Sequence, residues 1–293
     1  MPGDQGERYA TFFEDGELDR TRVETSFSDV AGQLRDVRVI FVPSYLSDTA
    51  VPSVSLGNSL GYMAGIFNWL EDEGFRADIA AVETEDTVVG NAARLRTVIG
   101  TTQEPLCFVT HSKGGLDVLE YLRTATREER GRVRCWIAMQ VPFSGSPVAD
   151  LATEISGLPE TADALLRALG GRGESLDDLT TATRERYISD HRDELREIFS
   201  LISPVCLATH VPDPGTFERP TSWSYPALVW MQENGVPSDG LVPVRSALRM
   251  CTRTLLLEGI DHTGIVSPGV VAPIDQEALM KALFVLALDR SAQ

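Results

Sequence analysis

The chain has 293 residues, of which 43% are hydrophobic and 24% charged, and its formal net charge is −17. This length and composition are typical of a globular protein with a sizeable core, built as one large domain or two small ones. Its strongly acidic character disfavours nucleic acids and anionic membrane surfaces as partners. Stable membrane insertion is also disfavoured, because no apolar run approaches the ~20 residues that span a bilayer.

The first 37 residues are polar and acidic, and they contain the turn signal Asp15-Gly16. An Asp-Gly pair between two short strand-like runs is typical of a β-hairpin. We therefore expect residues 1–37 to form an N-terminal acidic extension or an edge hairpin. Residues 1–10 have no basic end followed by an apolar core, so no secretory signal is visible.

Strand and helix patterns alternate along most of the remaining chain. Strand-like apolar runs occupy residues 37–43, 75–82, 106–109, 133–141, 205–210 and 252–257, and helical spacing marks residues 60–73, 88–100, 116–123, 226–233 and 274–288. This alternation predicts an α/β fold with a mostly parallel central sheet flanked by helices.

Between residues 150 and 203 the alternation stops, and helical patterns surround a Gly170-Gly171 hinge. We expect a helical cap insertion at 150–203 above the carboxyl edge of the sheet, where such sheets bind ligands. The core would then comprise residues 38–149 and 204–293. A helical decoration without a gating role is the alternative.

The four cysteines are scattered, each within or beside an apolar run, and no Cys/His spacing indicates a metal site. This pattern predicts buried free thiols, which suit a reducing compartment. Together with the absence of a visible signal, it predicts a cytoplasmic location. We expect neither a cofactor nor a metal. The cysteines are Cys107, Cys135, Cys206 and Cys251.

Residues 106–115, LCFVTHSKGG, combine a buried strand, a turn with small residues and the start of a helix. This is the layout of a nucleophile elbow, usually G-x-S-x-G, in which the turn exposes the serine hydroxyl at the top of the sheet. Ser112 is the predicted nucleophile, and the N–H of Lys113 would lie beside the attacked carbonyl as an oxyanion-hole donor. Thr110 stands where the first glycine is usual. An ordinary strand-to-helix turn containing a serine is the alternative.

A serine hydroxyl needs a base, and the chain has four histidines. His111 precedes the serine on the wrong side of the turn to reach its Oγ, and His191 lies among charged residues of the insertion. His210 ends a strand and remains an alternative. His262 follows the last strand in a glycine-flanked loop at the sheet edge where Ser112 should emerge, which makes it the predicted base.

The acid should lie in a sheet-edge loop between the serine and the histidine, the Ser-Asp-His order of α/β-hydrolases. Asp239, in an Asp-Gly turn before an apolar run, fits this place. It would hold the imidazole tautomer and stabilise the imidazolium. Asp213 is the alternative, and Asp261 is expected to cap the histidine loop.

The second oxyanion donor should come from the loop after residues 37–43. Tyr45 is the predicted donor, with Leu46 the next choice, because Pro43 has no N–H. Aromatic and apolar residues near the strand ends are candidates for the substrate pocket, although each is equally compatible with a core position. These candidates are Leu46, Phe143, Trp223 and Tyr225.

From about residue 37 onward the chain resembles the bacterial triacylglycerol lipases of the α/β-hydrolase superfamily. The resemblance lies in an ordered series of motifs: 62–82 (the helix and strand after the oxyanion loop), 110–115 (the elbow), 138–151 (A-P-H-x-G-S), 175–183 (S-L-x-x-L-T), 238–243 (N-D-G-L-V) and 261–262 (the histidine loop). It implies the same triad, Ser112, Asp239 and His262, and the same oxyanion residue, Tyr45.

The resemblance implies a serine carboxylic-ester hydrolase acting on a small-molecule or lipid-like ester. An acyltransferase with the same triad, or a non-catalytic binding protein on the same fold, are the alternatives. Two departures bear on the substrate, because Pro43-Ser44 replaces the His-Gly of the oxyanion loop and Phe143 replaces the A-P-H histidine. Those lipases hold a structural Ca²⁺ by a carboxylate two residues past the histidine. Gly264 occupies that position here, so we expect no calcium requirement.

Overall fold

The computed structural model describes residues 4–14, 17–43, 63–83, 86–154, 174–216, 224–266 and 274–289. Near the N-terminus, α1 (Asp4–Ala10) precedes a small antiparallel hairpin of β1 (Phe13–Glu14) and β2 (Glu17–Leu18). Helix α2 (Arg20–Arg35) follows.

Within the described residues, the main sheet has six strands in the order β4-β3-β5-β6-β7-β8, and neighbouring strands are parallel. Its strands are β3 (Arg38–Val42), β4 (Arg76–Ile79), β5 (Leu106–His111), β6 (Val133–Met139), β7 (Val205–His210) and β8 (Arg253–Glu258). All six residues of the central strand β5 are buried. Strands covered on both faces become continuously apolar rather than alternating, which explains the run that precedes Ser112.

Helices cover both faces of the sheet. In the described part of the chain, the other α-helices are α3 (Ala64–Asp72), α4 (Val88–Gly100), α5 (Lys113–Thr124), α6 (Arg127–Gly131), α7 (Pro147–Glu154), α8 (Glu174–Asp177), α9 (Thr181–Asp190), α10 (Arg192–Leu201), α11 (Tyr225–Glu233), α12 (Val244–Leu248) and α13 (Gln276–Leu288). Side chains of α2, α3 and α13 form one core layer, and those of α4, α5 and α10 form the other.

Helix α2 was not predicted from the sequence. Its N-cap is Asp19, whose carboxylate accepts the N–H groups of Thr21 and Arg22 and so satisfies two donors at the start of the helix. Its buried side chains are Val23, Phe27, Val30 and Leu34. The other twelve residues of α2 are mostly polar. The segment is therefore polar as a whole, and the helical spacing of its four apolar residues was overlooked.

The described part of the predicted insertion packs on the core. Leu195 and Ile198 of α10 are buried in the core layer that contains α5. The Tyr187 hydroxyl of α9 donates to Glu120 of α5 at 2.8 Å, and the Val88 N–H at the start of α4 donates to Asp178 at 2.7 Å. This part of the insertion is therefore held against α4 and against α5, the helix that follows Ser112. The Gly170-Gly171 hinge lies outside the described residues.

The prediction of free thiols was wrong. Disulfides join Cys107 to Cys135 and Cys206 to Cys251. The sheet register places Cys107 of β5 opposite Cys135 of β6, and their Cα atoms are 4.6 Å apart. A pairing set by tertiary register is not visible in sequence spacing. The thiol argument for a reducing compartment therefore no longer applies.

None of the described helices has the length and apolar character needed to cross a membrane.

Candidate active site

Ser112 lies at the junction of β5 and α5 with φ 52° and ψ −131°. A non-glycine residue in such a conformation costs on the order of 1–3 kcal/mol and persists only where its surroundings hold it. Here the Ser112 N–H donates to the carbonyl of Met139 at 2.9 Å, and the Ser112 carbonyl accepts from Gly115 at 3.0 Å. An ordinary strand-to-helix turn needs no such backbone strain, so the geometry favours the elbow.

The small residues after Ser112 are required by close approach. A Cβ on Gly114 would lie 2.5 Å from the carbonyl oxygens of Val42 and Pro43, and one on Gly115 would overlap the side chain of Val141. Both glycines therefore let α5 start close to the ends of β3 and β6.

Thr110 replaces the first glycine of the motif without being left unpaired. Its Oγ1 donates to the Ile137 carbonyl at 3.3 Å and accepts from the indole N–H of Trp136 at 3.0 Å. Both partners are on the neighbouring strand β6. The two hydrogen bonds therefore accommodate a threonine side chain at a position where the motif usually has glycine.

The predicted base and acid form a buried pair. The Nδ1–H of His262 donates to Oδ2 of Asp239 at 2.8 Å, and the His262 backbone N–H donates to the Asp239 carbonyl at 2.8 Å. The other carboxylate oxygen, Oδ1, accepts the N–H groups of Leu241 and Val242 at 2.9 and 2.7 Å. Because a carboxylate only accepts hydrogen bonds, this pairing leaves Nε2 of His262 as the basic nitrogen.

The alternative bases and acids lie elsewhere. The His210 ring faces Glu258 on β8 at 3.3 Å, and the His191 ring lies 3.4 Å from Glu194 on the insertion. Asp213 is exposed and accepts the Gly215 N–H at 2.8 Å. Asp261 accepts from the N–H and hydroxyl of Thr263, both at 3.2 Å, which is a cap of the histidine loop.

The predicted oxyanion hole is only partly described. Lys113 is the first residue of α5, where backbone N–H groups point out of the helix end and favour negative charge. Tyr45 and Leu46 lie outside the described residues, as does the pocket candidate Trp223. Tyr225 is half-buried, and its hydroxyl donates to the Pro214 carbonyl at 3.4 Å.

Phe143, also a pocket candidate, is fully buried. Its ring packs edge-to-face against Trp136 and Phe199, at centroid distances of 6.1 and 6.3 Å. It has the core position that the sequence left open as the alternative.

A buried ion pair beneath the elbow was missed. Lys113 is 1% exposed, and its Nζ lies 3.2 Å from Oδ1 of Asp117, one helical turn further on. Asn91 of α4 donates to Oδ2 of Asp117 at 3.0 Å. Burial raises the pKa of Asp117 to about 7, although Lys113 and Asn91 act in the opposite direction. The i,i+4 spacing of Lys113 and Asp117 was the available signal.

Metal ligation has no support among the described residues, since no group of three or more His, Cys, Asp or Glu side chains lies close enough to hold an ion.

The sheet order, the strained serine and the buried histidine–aspartate pair define the α/β-hydrolase class of folds. The fold is shared by the mature lipase BlEst2 of Bacillus licheniformis, with a TM-score of 0.60 and 20% identity over 78% of this chain and 86% of that one. The metagenomic carboxyl esterase MGS0156 gives a TM-score of 0.62 and 21% identity over 86% and 76%.

The Staphylococcus hyicus lipase has a TM-score of 0.50 and 12% identity over 86% of this chain and 92% of its own. No protein-family model matches the sequence, and a search of curated proteins finds no match. The predicted α/β-hydrolase fold, like that of bacterial lipases and esterases, is confirmed. Structural similarity at such low sequence identity establishes the fold alone. The activity therefore has to be argued from the residues of the site.

Proposed function

We propose that this protein is a serine carboxylic-ester hydrolase that acts through an acyl-enzyme. The observation that carries the proposal is the arrangement at one sheet edge. Ser112 has the strained backbone of a nucleophile elbow, and His262 is held by Asp239 at 2.8 Å in the tautomer that a base needs. A non-catalytic binding protein has no need for this combination.

The steps follow from the chemistry of these groups. The Ser112 Oγ attacks the ester carbonyl carbon while Nε2 of His262 takes the hydroxyl proton. The oxyanion that forms accepts hydrogen bonds from the backbone N–H groups of Lys113 and Tyr45. The protonated His262 then gives its proton to the departing alcohol, and a water molecule activated by the same nitrogen releases the acid from Ser112.

Asp239 contributes by holding charge in place. One oxygen accepts from the imidazole and the other from two backbone N–H groups. These three hydrogen bonds stabilise the negative charge of the carboxylate. A fixed carboxylate beside Nδ1 stabilises the imidazolium that forms when Ser112 loses its proton. Reorganisation of solvent is avoided, because Asp239 and His262 are both buried.

The substrate class is a lipid-like or small-molecule carboxylic ester. This part of the proposal is supported by the names of the structures that share the fold, a lipase and a carboxyl esterase. The cytoplasmic location predicted from the sequence is not retained as part of the proposal, because disulfides are rare in reducing compartments.

Hydrolysis of p-nitrophenyl esters from acetate to palmitate tests the proposal. The wild-type chain should hydrolyse at least part of the series, and Ser112→Ala should lose the activity while keeping its melting temperature. A fluorophosphonate probe should label Ser112. Labelling at Ser44 or Ser146 would contradict the assignment, and no hydrolysis of any ester would contradict the proposed activity.

A further inference from the structure

His111, the residue before the nucleophile, is buried and reaches the loop of the predicted base. Its Nε2 lies 2.8 Å from Oε1 of Gln140 and 3.1 Å from the backbone carbonyl oxygen of His262. The ring centroids of His111 and His262 are 4.7 Å apart, with an interplanar angle of 39°. The side chain therefore contacts the base directly, although it belongs to the nucleophile's strand.

The hydrogen-bond network assigns the proton on His111. The Gln140 amide nitrogen lies 3.2 Å from the Asp261 carbonyl and also contacts the hydroxyl of Thr209. A carbonyl can only accept, so the amide nitrogen must be the group that faces Asp261, and Oε1 must face His111. Both neighbours of His111 Nε2 are then acceptors, which places the proton on that nitrogen.

Electrostatics keep this ring neutral. Burial, and secondarily the nearby His262, hold the pKa of His111 well below its usual value. A neutral ring can pack against His262 in this tilted arrangement without opposing the positive charge that His262 acquires when it takes the serine proton. A cation at the same place would raise the energy of that imidazolium.

The contacts of His262 now account for its orientation from two sides. Asp239 accepts from the ring Nδ1 and from the backbone N–H, each at 2.8 Å. His111 donates to the carbonyl of the same residue, and Gln140 donates to the preceding carbonyl, that of Asp261. Gln140 is itself fixed by a backbone hydrogen bond to Leu207 at 2.7 Å. The ends of β5, β6 and β7 thus hold one loop.

We propose that His111 is a positioning residue for the base: its Nε2–H anchors the His262 carbonyl and, with Gln140, sets the imidazole in register with Ser112. This inference rests on the proposed function. Because a displacement of about 1 Å can cost on the order of 100-fold in rate, the anchor should affect turnover more than substrate affinity. His111 is itself buried, so its proposed effect on the reaction passes through His262.

Three substitutions separate the hydrogen bond from the packing. His111→Phe keeps a ring against His262 and removes the donor. His111→Gln places an amide N–H at a reach similar to that of Nε2, and His111→Asn is shorter by one methylene. We expect His111→Phe and His111→Asn to lower kcat about 10- to 100-fold with KM within about twofold, and His111→Gln to recover most of it.

The matched control is His210→Phe, since His210 also ends a parallel strand but faces Glu258. It should leave kcat unchanged. The second readout is the low-field proton resonance of the His262–Asp239 hydrogen bond, which requires no substrate. It should be sharp in the wild type and His111→Gln, and broadened by exchange with solvent in His111→Phe.

These outcomes divide the possibilities. A folded His111→Phe with wild-type kcat and an unchanged resonance would overturn the positioning role, as would a His111→Gln variant no better than His111→Asn. If His111→Phe does not fold, the comparison of the glutamine and asparagine variants decides. If the wild type hydrolyses no ester, the proposed function fails, and the resonance still reports whether His111 orders His262.

Discussion

Replacing Gly115 with alanine should weaken the nucleophile turn through a single neighbour, Val141. An added Cβ would lie 2.7 Å from Cγ1 of that valine and would overlap its other methyl group. Val141 is fully buried, so its side chain has no open space to rotate into. Overpacking of this kind costs about 1–3 kcal/mol. The strained Ser112 would share the displacement, because its carbonyl accepts the Gly115 N–H at 3.0 Å.

The same contact predicts a rescue. Val141→Ala alone removes two methyl groups from the core, a loss of about 1–3 kcal/mol at about 0.5–1.5 for each group. If the two effects were independent, the double variant would lose about 2–6 kcal/mol. Because the new methyl group occupies space that the valine vacates, the double variant should lose less than this sum, with a coupling energy of about 1–3 kcal/mol.

Urea denaturation of the four proteins in the cycle measures this coupling, and kcat/KM on a short-chain p-nitrophenyl ester should follow the same order. Gly114→Ala is the matched control, because its Cβ would lie 2.5 Å from the backbone oxygens of Val42 and Pro43. Val141→Ala cannot clear a backbone contact. Additive losses at Gly115, or an equal rescue at Gly114, would refute the steric reasoning.

Three further predictions concern the base, the buried acid and the insertion. His262→Ala should reduce kcat/KM about as much as Ser112→Ala, because residues of a triad act as a unit, and near-normal ester hydrolysis by His262→Ala would exclude it as the base. Burial raises the pKa of Asp117 from 3.8 to about 7, so the folded state retains a proton that the unfolded state releases, and stability should fall as pH rises across this interval. Asp117→Asn should flatten that fall in a series of melting temperatures, whereas Asp193→Asn, on a carboxylate whose side chain is 93% exposed, should leave it unchanged. If the insertion gates the site, alanines at Gly170-Gly171 should alter kcat and KM together, with a larger effect on palmitate than on acetate esters, and equal effects would favour decoration.

Local signals explain what could be predicted from the sequence. Helix α4 begins and ends where its pattern predicted, at Val88 and Gly100, because Thr87 caps its start and its apolar residues keep helical spacing. The elbow was visible because a strained turn needs small residues within a few positions of the serine. His262 and Asp239 followed from chain order, since the carboxyl ends of parallel strands share one edge of the sheet.

Contacts between distant segments explain the rest. The disulfide from Cys107 to Cys135 depends on the register of two strands, and the bonds of His111 to Gln140 and His262 cross residues that are 29 and 151 positions apart. The sequence places His111 on the wrong side of the turn to reach the serine hydroxyl, and its sequence neighbours give no indication of its contacts with the His262 loop. The sequence therefore placed the residues of the proposed triad, whereas the contacts of His111 and Gln140 with the His262 loop required the fold.

The way the His262 loop is held also bears on calcium. In the lipases that the chain resembles, Ca²⁺ ties this loop down through a carboxylate two residues past the histidine. A side chain at Gly264 would meet Ile260, with its Cβ 2.8 Å from Cγ2, so that ligand position is closed by packing. The loop is tied by other contacts: the Val266 carbonyl accepts the Met63 N–H at 2.6 Å, and the Ile265 carbonyl accepts from Gln276 at 3.3 Å.

Calcium affinity depends on the number of carboxylate ligands, and the nearby Asp261 is already engaged with Thr263. We therefore expect excess EDTA to change neither the melting temperature nor ester hydrolysis, and added Ca²⁺ to have no effect. A melting temperature that falls by several degrees in EDTA and returns with Ca²⁺ would show that the loop needs an ion in addition to the His111 and Gln140 hydrogen bonds.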